Sequence, residues 1–345
     1  MKKIFIFGSG SIGNHLTNAG LRSGYEVYIT DKSEMALKRM KNELFKKRYG
    51  YWSNKIKIIK NNELKKIYRT KFDLVIIGTP PKSHIKLYEF CKKNMTYKKI
   101  LIEKPLCVYN ENFKNIISLN KYIFCGYNHS VSDSFRYFIK LLNDNKKNYF
   151  FSTIKWKEGW TGILNAHYWL KDEFSSYLGN IEEGGGAIHE HSHPIHLAVL
   201  MLKTLSKENI KVETSNLVYK YNKKVRYDSF ANILLKSKKF KIDLEIDLLE
   251  PGSKKEVTVY FKNFIMRWIH NYTKSSDAVI IYSKFKYKIK LFKKNRETEF
   301  ISELKDIAKT DNKNKYKNSK LNVSNALEVM NIIKKVIKNE NLRAN

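Results

Sequence analysis

The order of apolar segments predicts two domains: a doubly wound α/β domain with a parallel sheet, then an α+β domain with a large open antiparallel sheet. In the first part of the chain, short apolar runs alternate with helix-like stretches. Beyond residue 130, long strand-like stretches follow one another with few helices between them. The first pattern is typical of parallel strands covered on both faces, and the second of antiparallel strands. The 345 residues suffice for both domains, which we expect at residues 1–125 and 126–345.

Six strands are predicted for the parallel sheet. They lie at residues 4–7, 25–30, 56–59, 73–78, 99–102 and 122–126. A helix-like stretch at residues 85–93 separates the fourth strand from the fifth. Ligands of such sheets bind beyond the carboxyl ends of the strands. The polar and proline-containing ends at residues 78–81, 103–105 and 126–129 therefore predict a binding site on one edge of the sheet.

The second domain is expected to begin with a helix at residues 135–142 and a strand at residues 149–156. Four long strand-like stretches follow, at residues 212–220, 229–249, 256–268 and 278–292. Two closing helices are predicted at residues 299–308 and 325–337, and the second is a candidate for packing back on the first domain. The polar residues 311–320 between them predict a mobile loop.

The first strand runs into the glycine motif Gly8-x-Gly10-x-x-Gly13, which opens a helix-like stretch. In such a motif the first glycine allows a tight turn, the second lets a dinucleotide pyrophosphate approach the backbone, and the third lets the helix pack on the strand. The helix N-terminus adds N–H groups and a partial positive charge. In this strand–turn–helix context the motif predicts a Rossmann dinucleotide-binding domain rather than an ordinary βα turn.

Asp31 ends the second predicted strand, at about the distance from the glycine motif where an acid meets the adenosine ribose. Its carboxylate can accept hydrogen bonds from free ribose hydroxyls and would repel a 2′-phosphate, so it favours NAD. Lys32, Ser33 and Arg39 lie nearby in the sequence and keep NADP as the alternative.

Lys104 stands in Glu103-Lys104-Pro105, directly after the apolar run of the fifth strand. This position places an ionisable amine at the carboxyl end of a buried strand. Oxidation of an alcohol needs a hydroxyl proton removed as hydride leaves the carbon, and a positioned amine can take part in that transfer. The glycine motif and Lys104 together predict a nicotinamide enzyme with a lysine acid/base.

Residues 184–196 read Gly-Gly-Gly-Ala-Ile-His-Glu-His-Ser-His-Pro-Ile-His, with four histidines close together. The spacing is not His-Glu-x-x-His and no cysteine lies near, so we expect no metal. If one helix runs through the segment, Glu190 and His193 share a face with His196 or Leu197. We expect a substrate-facing acid/base cluster, with a purely structural helix start as the alternative.

The net charge of +33 invites a nucleic-acid interpretation. However, only nine of the 66 basic residues are Arg, and the lysines are scattered without a recognised nucleic-acid motif. We therefore expect a solvated basic surface and no nucleic-acid partner. Such a surface is compatible with a phosphorylated, nucleotide-linked or acidic substrate.

Cysteine usage and apolar segments bear on the cell compartment. Cys91, Cys107 and Cys125 have neither metal nor redox spacing, and a sparse, odd count is typical of a reducing cytoplasm. The apolar run after Lys2-Lys3 ends at Gly8, too soon for a secretory signal. No segment approaches the roughly twenty apolar residues of a membrane span. We expect a cytoplasmic protein with no membrane partner.

In their order and spacing these motifs resemble those of the Gfo/Idh/MocA oxidoreductases, named for glucose–fructose oxidoreductase and inositol dehydrogenase. The resemblance covers nearly the whole chain and rests on residues 8–13, Asp31, and residues 78–80, 103–105, 126–128 and 184–186. It implies a Rossmann domain and a second domain whose open antiparallel sheet often mediates dimers or tetramers. It also implies hydride transfer between NAD(P) and a sugar, cyclitol or nucleotide sugar, in a homo-oligomer.

The resemblance further implies roles for individual residues. The catalytic candidates are Lys104, His193 and Glu190. The cofactor-binding candidates are Gly8, Ser9, Gly10, Ser11, Ile12, Gly13, Asp31, Thr79, Pro80, His84, Glu103 and Lys104. The substrate-binding candidates are Tyr127, Asn128, Trp160, His167, Trp169 and His189. The pair Glu190-x-x-His193 is similar to that of branches tied to surface-polysaccharide and sialic-acid-like sugar pathways.

The chain departs from the family pattern at several substrate positions. Glu190 stands where Asp is commoner, and Pro194 stands where a polar residue is usual. His196 replaces a frequent acid, and His129 lies where an Arg often follows Tyr-Asn. The expected function is an NAD(P)-dependent oxidoreductase acting on a hydroxyl or ketone carbon of a sugar or nucleotide-activated sugar, in surface-glycan biosynthesis. The alternatives are a redox-neutral glycosidase or lyase with tightly held NAD, and a non-catalytic dinucleotide-dependent sensor.

Overall fold

A computed structural model describes residues 1–112, 122–223 and 225–344. The chain forms two compact units. The first unit consists of Met1–Cys107, Glu111–Asn128 and Arg296–Val323. The second unit consists of Val108–Asn110, His129–Asn295 and Ser324–Asn345. The first unit thus combines the N-terminal part of the chain with a segment that comes much later in the sequence.

The first unit contains the predicted parallel sheet. Its strands are β1 (Lys3–Phe7), β2 (Glu26–Thr30), β3 (Ile56–Ile58), β4 (Lys71–Ile77), β5 (Thr96–Glu103) and β6 (Tyr122–Gly126). They lie in the order β3-β2-β1-β4-β5-β6, and every neighbouring pair is parallel. The order reverses between β1 and β4, which is where ligands bind in doubly wound sheets. The predicted fold class of this unit is confirmed.

Helices connect the strands of both units. In the described part of the chain they are α1 (Ser11–Arg22), α2 (Glu34–Arg39), α3 (Phe45–Tyr49), α4 (His84–Asn94), α5 (Asp133–Asn145), α6 (Trp160–Ala166), α7 (Ala187–Glu190), α8 (His193–Leu205), α9 (Arg296–Lys309), α10 (Lys313–Asn318) and α11 (Val323–Ala344). A π-helical turn, Met40–Leu44, joins α2 to α3. Continuous apolar runs such as Ile4-Phe5-Ile6 are completely buried, as expected of strands covered on both faces.

The polar segment 311–320 is not the mobile loop that its composition predicts. It contains α10, whose first turn is capped because the Asn312 side chain accepts a hydrogen bond from Lys315 N at 2.9 Å. Tyr316 then donates its hydroxyl hydrogen to the Ile123 carbonyl oxygen at 2.7 Å. Composition alone misleads here because one capping residue and one tyrosine are enough to fix a polar segment against a sheet.

The second unit contains an eight-stranded sheet. Its strands are β7 (Tyr149–Glu158), β8 (Lys211–Asn222), β9 (Val225–Ser237), β10 (Phe240–Asp247), β11 (Ser253–Phe261), β12 (Phe264–Thr273), β13 (Ser276–Ser283) and β14 (Lys286–Lys293). Their order is β14-β13-β12-β11-β7-β10-β9-β8. The pairs are antiparallel except for β7 with β10, which is parallel. The large antiparallel sheet is therefore confirmed, with one parallel pair inside it.

Three of the predicted long stretches are hairpins of two strands each. The break in residues 229–249 falls at Lys238, whose φ of 55° reverses the chain. The stretches 256–268 and 278–292 also divide, between Phe261 and Phe264 and between Ser283 and Lys286. No glycine or proline marks these turns in the sequence, which is why the stretches look continuous.

Helices α5 and α8 pack on one face of this sheet, over β12–β14 and over β7 and β10 respectively. Apolar residues of α8 are buried along its whole length, and Trp156 on β7 is completely buried. None of the helices in the described residues is long and apolar enough to cross a membrane.

Candidate functional site

The glycine motif has the geometry of a dinucleotide-binding loop. Gly8 has a φ of 101°, and a Cβ there would lie 2.5 Å from the Gly78 carbonyl oxygen. A Cβ on Gly13 would lie 1.9 Å from the Gly8 carbonyl oxygen. Both positions thus exclude any side chain. A Cβ on Gly10, at the N-cap of α1, would meet nothing within 4 Å. This open space beside a helix N-terminus fits an incoming pyrophosphate.

Asp31 lies against this loop. Its Oδ2 accepts hydrogen bonds from Ser9 N at 2.8 Å and Ser9 Oγ at 2.9 Å, and its Oδ1 accepts one from Ser33 N at 2.9 Å. The end of β2 is therefore bound to the turn that follows β1. This arrangement places the carboxylate beside the glycine loop, as contact with an adenosine ribose requires.

The first turn of α1 is held by residues that the sequence patterns did not single out. Arg48 donates from Nη1 to the Ser11 carbonyl oxygen at 3.1 Å and from Nη2 to Ser11 Oγ at 3.0 Å. One turn further along α1, the His15 Nδ1 lies 2.5 Å from the Tyr49 hydroxyl. The His15 ring also stacks on Phe300 of α9, with ring centroids 4.9 Å apart. The glycine loop is thus anchored from α3 and α9.

His84 joins the loops that follow β4 and β5. Its ring is completely buried, with Nε2 2.7 Å from the Thr79 carbonyl oxygen and Nδ1 3.0 Å from that of Pro105. Burial lowers the pKa of His84, although these carbonyl contacts oppose the shift. Through these two contacts His84 holds Thr79 close to Pro105, the residue after Lys104. This cofactor-binding candidate therefore supports the two loops from a buried position.

Lys104 directly follows β5, and its neighbour Glu103 is buried. A Cβ on Gly126, the last residue of β6, would lie 2.6 Å from Glu103 Oε1. The carboxyl group of Glu103 therefore lies over a glycine that makes room for it. Tyr127 and Asn128, which follow β6, are also buried. Three strand ends carrying site candidates thus lie in one unit, at the carboxyl edge of its sheet.

The histidine-rich segment does not form one helix. Helix α7 ends at Glu190, His191 and Ser192 lie between the helices, and α8 begins at His193. The expectation that Glu190, His193 and His196 share a helix face is wrong. Pro194 is the physical reason, because proline favours the first turn of a new helix and cannot donate the hydrogen bond that would continue the preceding one.

The second unit brings His193 together with two histidines that are distant in sequence. We call His129, His193 and His270 the histidine cluster. The ring of His129 lies 4.5 Å from that of His193 and 4.4 Å from that of His270, centroid to centroid. The His193 ring also stacks on Trp156, with centroids 5.7 Å apart. Strand periodicity gave no reason to select Trp156 or His270, because both belong to ordinary buried strand patterns.

An ion pair adjoins the histidine cluster. Asp277 Oδ1 lies 2.7 Å from Lys294 Nζ and 3.3 Å from His270 Nδ1. Burial opposes ionisation of Asp277, but His270 and Lys294 outweigh it, and the pKa of this carboxyl is lowered. Burial also lowers the pKa of His129 well below its usual range, and the neighbouring His270 and His193 lower it further. His129 is therefore a neutral imidazole.

The other candidates of the second unit contact residues outside the histidine cluster. His189 is completely buried near Tyr109, and burial lowers its pKa to about 3. His167 Nδ1 lies 2.8 Å from the Ile163 carbonyl oxygen, and its ring centroid is 5.3 Å from that of Trp169. Trp160 begins α6, and its ring lies 5.4 Å from Tyr227.

Comparisons of the sequence with known proteins give no match, either to a family model or to a curated protein. Comparison of the structure does give matches. The chain is similar to a variant of KijD10, a 3-ketoreductase from Actinomadura kijaniata solved with TDP-benzene and NADP. The TM-score is 0.75 at 13% identity, covering 98% of this chain and 97% of the other.

Two further solved structures share the fold. A dehydrogenase (MviM) from Clostridium difficile matches with a TM-score of 0.66 at 13% identity, covering 98% of this chain and 99% of that one. The UDP-N-acetylglucosamine 3-dehydrogenase GnnA from Acidithiobacillus ferrooxidans matches with a TM-score of 0.69 at 12% identity, covering 97% and 96%. The fold expected from the Gfo/Idh/MocA resemblance is therefore the fold that is observed.

Proposed function

We propose that the protein is an NAD(P)-dependent oxidoreductase that transfers a hydride between nicotinamide and a hydroxyl or ketone carbon of a nucleotide-activated or free sugar, in surface-glycan biosynthesis. The observation that carries the proposal is the loop after β1, where Gly8 and Gly13 are packed on backbone and the space over Gly10 is open. Lys104 directly follows β5 of the same sheet. A phosphate-binding loop and an amine on one sheet edge are what such a reaction needs.

The substrate class is supported by the solved structures of the same fold. KijD10 is a 3-ketoreductase solved with a TDP compound, and GnnA is a dehydrogenase of UDP-N-acetylglucosamine. Both are tied to nucleotide-linked ligands. A net charge of +33 on this chain also favours a phosphorylated substrate over a neutral one.

The residues present fit a nicotinamide dinucleotide, and when bound it would donate or accept the hydride. Residues 8–13 would hold the pyrophosphate through backbone N–H groups and the start of α1. Asp31 would accept hydrogen bonds from the adenosine ribose, which favours NAD. NADP is the alternative, because KijD10 was solved with NADP and Lys32 and Arg39 follow Asp31 closely in the sequence.

Lys104 and His193 are the proposed acid/base residues. Either group can remove the hydroxyl proton in the oxidative direction and return a proton in the reductive direction. His193 is buried against Trp156, so its ring is held in a fixed orientation. Glu190 is proposed to bind a sugar hydroxyl or to orient His193. Tyr127, Asn128, Trp160, His167 and Trp169 remain the substrate-contact candidates.

We also propose a homo-oligomer formed through the sheet of the second unit. On β14 the side chains of Tyr287, Ile289 and Leu291 alternate along one face and are exposed. They pair in register with Tyr282, Ile280 and Ala278 of β13. An exposed apolar row on an edge strand is a pairing surface.

We propose the cytoplasm as the compartment. The three buried free cysteines, Cys91, Cys107 and Cys125, support a reducing environment.

The test is a panel of TDP- and UDP-linked sugars and free sugars, assayed with NAD and NADP and with their reduced forms. The proposal expects a change in NADH or NADPH absorbance with at least one nucleotide sugar. Product formation without accumulation of reduced cofactor would instead favour redox-neutral chemistry. If neither dinucleotide binds in titrations followed by protein fluorescence, the proposal is wrong.

A further inference from the structure

Asp277, on β13, is a buried carboxylate that the proposed reaction does not use. Its Oδ2 accepts a hydrogen bond from Ser134 Oγ at 2.6 Å, and its Oδ1 accepts one from Asn271 N at 2.9 Å. The same Oδ1 lies 2.7 Å from Lys294 Nζ and 3.3 Å from His270 Nδ1. One carboxylate therefore joins α5, β12 and the residue that follows β14.

His270 is held in this network by two charged groups. Besides its contact with Asp277, its Nδ1 lies 2.7 Å from the Lys294 ammonium nitrogen. Trp268, two residues earlier on β12, is completely buried and donates from Nε1 to Ser134 Oγ at 2.9 Å. Because a buried polar network whose members have partners is rigid, these contacts fix the orientation of the His270 ring.

The contacts continue from His270 to His193 through His129. The His129 ring meets the His270 ring at a centroid distance of 4.4 Å and an angle of 78°, and the His193 ring at 4.5 Å and 72°. It also lies 5.3 Å from the ring of Trp156, on which His193 stacks. His129 thus contacts three rings. Since protein interiors are close-packed and transmit strain, a rotation of His270 displaces His129 and, through it, His193.

We propose that Asp277 and Lys294 are positioning residues, which hold His270 and thereby fix the ring of His193, the proposed acid/base. Proton transfer depends on this placement, because a shift of about 1 Å in a reacting group can lower the rate about 10²-fold. The effect on turnover rests on the proposed function. The coupling of the Asp277–Lys294 pair to the His193 ring does not, so the two are tested separately.

The coupling is tested by NMR of the whole protein, isotope-labelled in its histidine rings, without substrate or cofactor. The double variant Asp277→Asn/Lys294→Met removes both charges together, so neither is left buried without its partner. We expect the ring signals of His270 and His193 to shift. Each signal is identified by its loss when that histidine is replaced by Gln.

Asp243→Asn is the matched control, since Asp243 accepts a hydrogen bond from Asn232 Nδ2 at 3.0 Å on another strand of the same sheet, β10. The histidine signals of this variant should remain at their wild-type positions. A His193 signal that stays unchanged in the folded double variant, or that moves equally in Asp243→Asn, would overturn the coupling.

The positioning role is tested with the substrate found in the panel. In the double variant, kcat should fall by about tenfold to 10²-fold, because His193 is misplaced. The KM for the dinucleotide should change little, since the glycine loop belongs to the first unit. Lys294→Arg keeps a cation at this position and should retain more of the wild-type kcat than Lys294→Met.

Ser134→Ala separates positioning from stability. It removes the buried contacts with Trp268 and Asp277 but leaves those of His270, so it should lower the melting temperature while kcat stays near wild type. If kcat falls in Ser134→Ala as far as in the double variant, or stays at the wild-type level in the folded double variant, Asp277 and Lys294 do not position His193. Absence of turnover in the wild type would instead count against the proposed function, and the NMR result would still decide the coupling.

Discussion

Asp228 Oδ2 accepts a hydrogen bond from the backbone N–H of Ile188 at 2.8 Å, which ties strand β9 to the start of α7. Gly186, with a φ of 88°, leaves the space that this contact needs, since a Cβ there would lie 2.1 Å from Asp228 Oδ1. Burial raises the pKa of Asp228 to about 8, although backbone N–H groups oppose the shift. A buried acid thus supports the segment that leads to His193.

The first prediction concerns this acid. Between about pH 4 and pH 8, folded Asp228 holds a proton that the unfolded chain has released, so its contribution to stability falls as pH rises. The slope from this one group is at most about 1.4 kcal/mol per pH unit. Asp228→Asn, which is neutral at every pH, should flatten the dependence of the unfolding free energy on pH. Urea unfolding at pH 5 and pH 8 measures the change in unfolding free energy between the two pH values.

Asp144→Asn, at an exposed position, is the control and should keep the wild-type pH dependence. If Asp228→Asn also keeps that dependence, the assignment of a raised pKa to Asp228 is wrong.

The second prediction concerns the cofactor. Asp31→Ala should weaken NAD binding and narrow the preference for NAD over NADP, because the acceptor for the ribose hydroxyls is lost. Fluorescence titration with NADH and NADPH measures the affinity for each dinucleotide and the ratio of the two affinities. Asp73→Ala is a matched control, since Asp73 also accepts a backbone N–H, from Lys3 at 3.0 Å, but at the opposite end of the sheet. Equal or tighter NAD binding by Asp31→Ala would remove Asp31 from the ribose site.

The third prediction concerns Lys104. Lys104→Met should keep the fold and dinucleotide binding while kcat falls by about 10²–10⁴, the usual contribution of a positioned acid or base. Lys98→Met is the control, because Lys98 lies on β5, the strand that precedes Lys104, but is exposed and paired with Asp73 at 2.7 Å. Near-wild-type turnover in Lys104→Met would refute the acid/base role.

The fourth prediction concerns the histidine cluster. His193→Ala should lower turnover by about 10²–10⁴ while the melting temperature in EDTA matches that without chelator. Lys203→Gln, at an exposed position of the same helix and outside the named cluster, should keep turnover near wild type. Metal analysis of the purified protein completes the test. Stoichiometric zinc that is lost together with activity on chelation would favour a metal-dependent enzyme over this proposal.

Local sequence was enough to predict the parallel sheet and the glycine turn that opens α1. Each of the six strands is a short apolar run, and glycine at positions 8, 10 and 13 has a direct steric meaning within a few residues of chain. The position of Lys104 at the end of a buried strand was predictable for the same reason. These features depend on neighbours in the sequence, so they can be read without knowing the fold.

Tertiary structure decided what depends on residues far apart in the chain. The hairpin turns of the second sheet were not predicted, because they contain no glycine or proline. At one of them Lys238 adopts a positive φ, which a lysine in the sequence does not indicate. The histidine cluster brings together His129, His193 and His270, which lie far apart in the sequence and meet only in the folded second unit. Burial then sets the protonation of these groups, and burial is a property of packing that no local pattern contains.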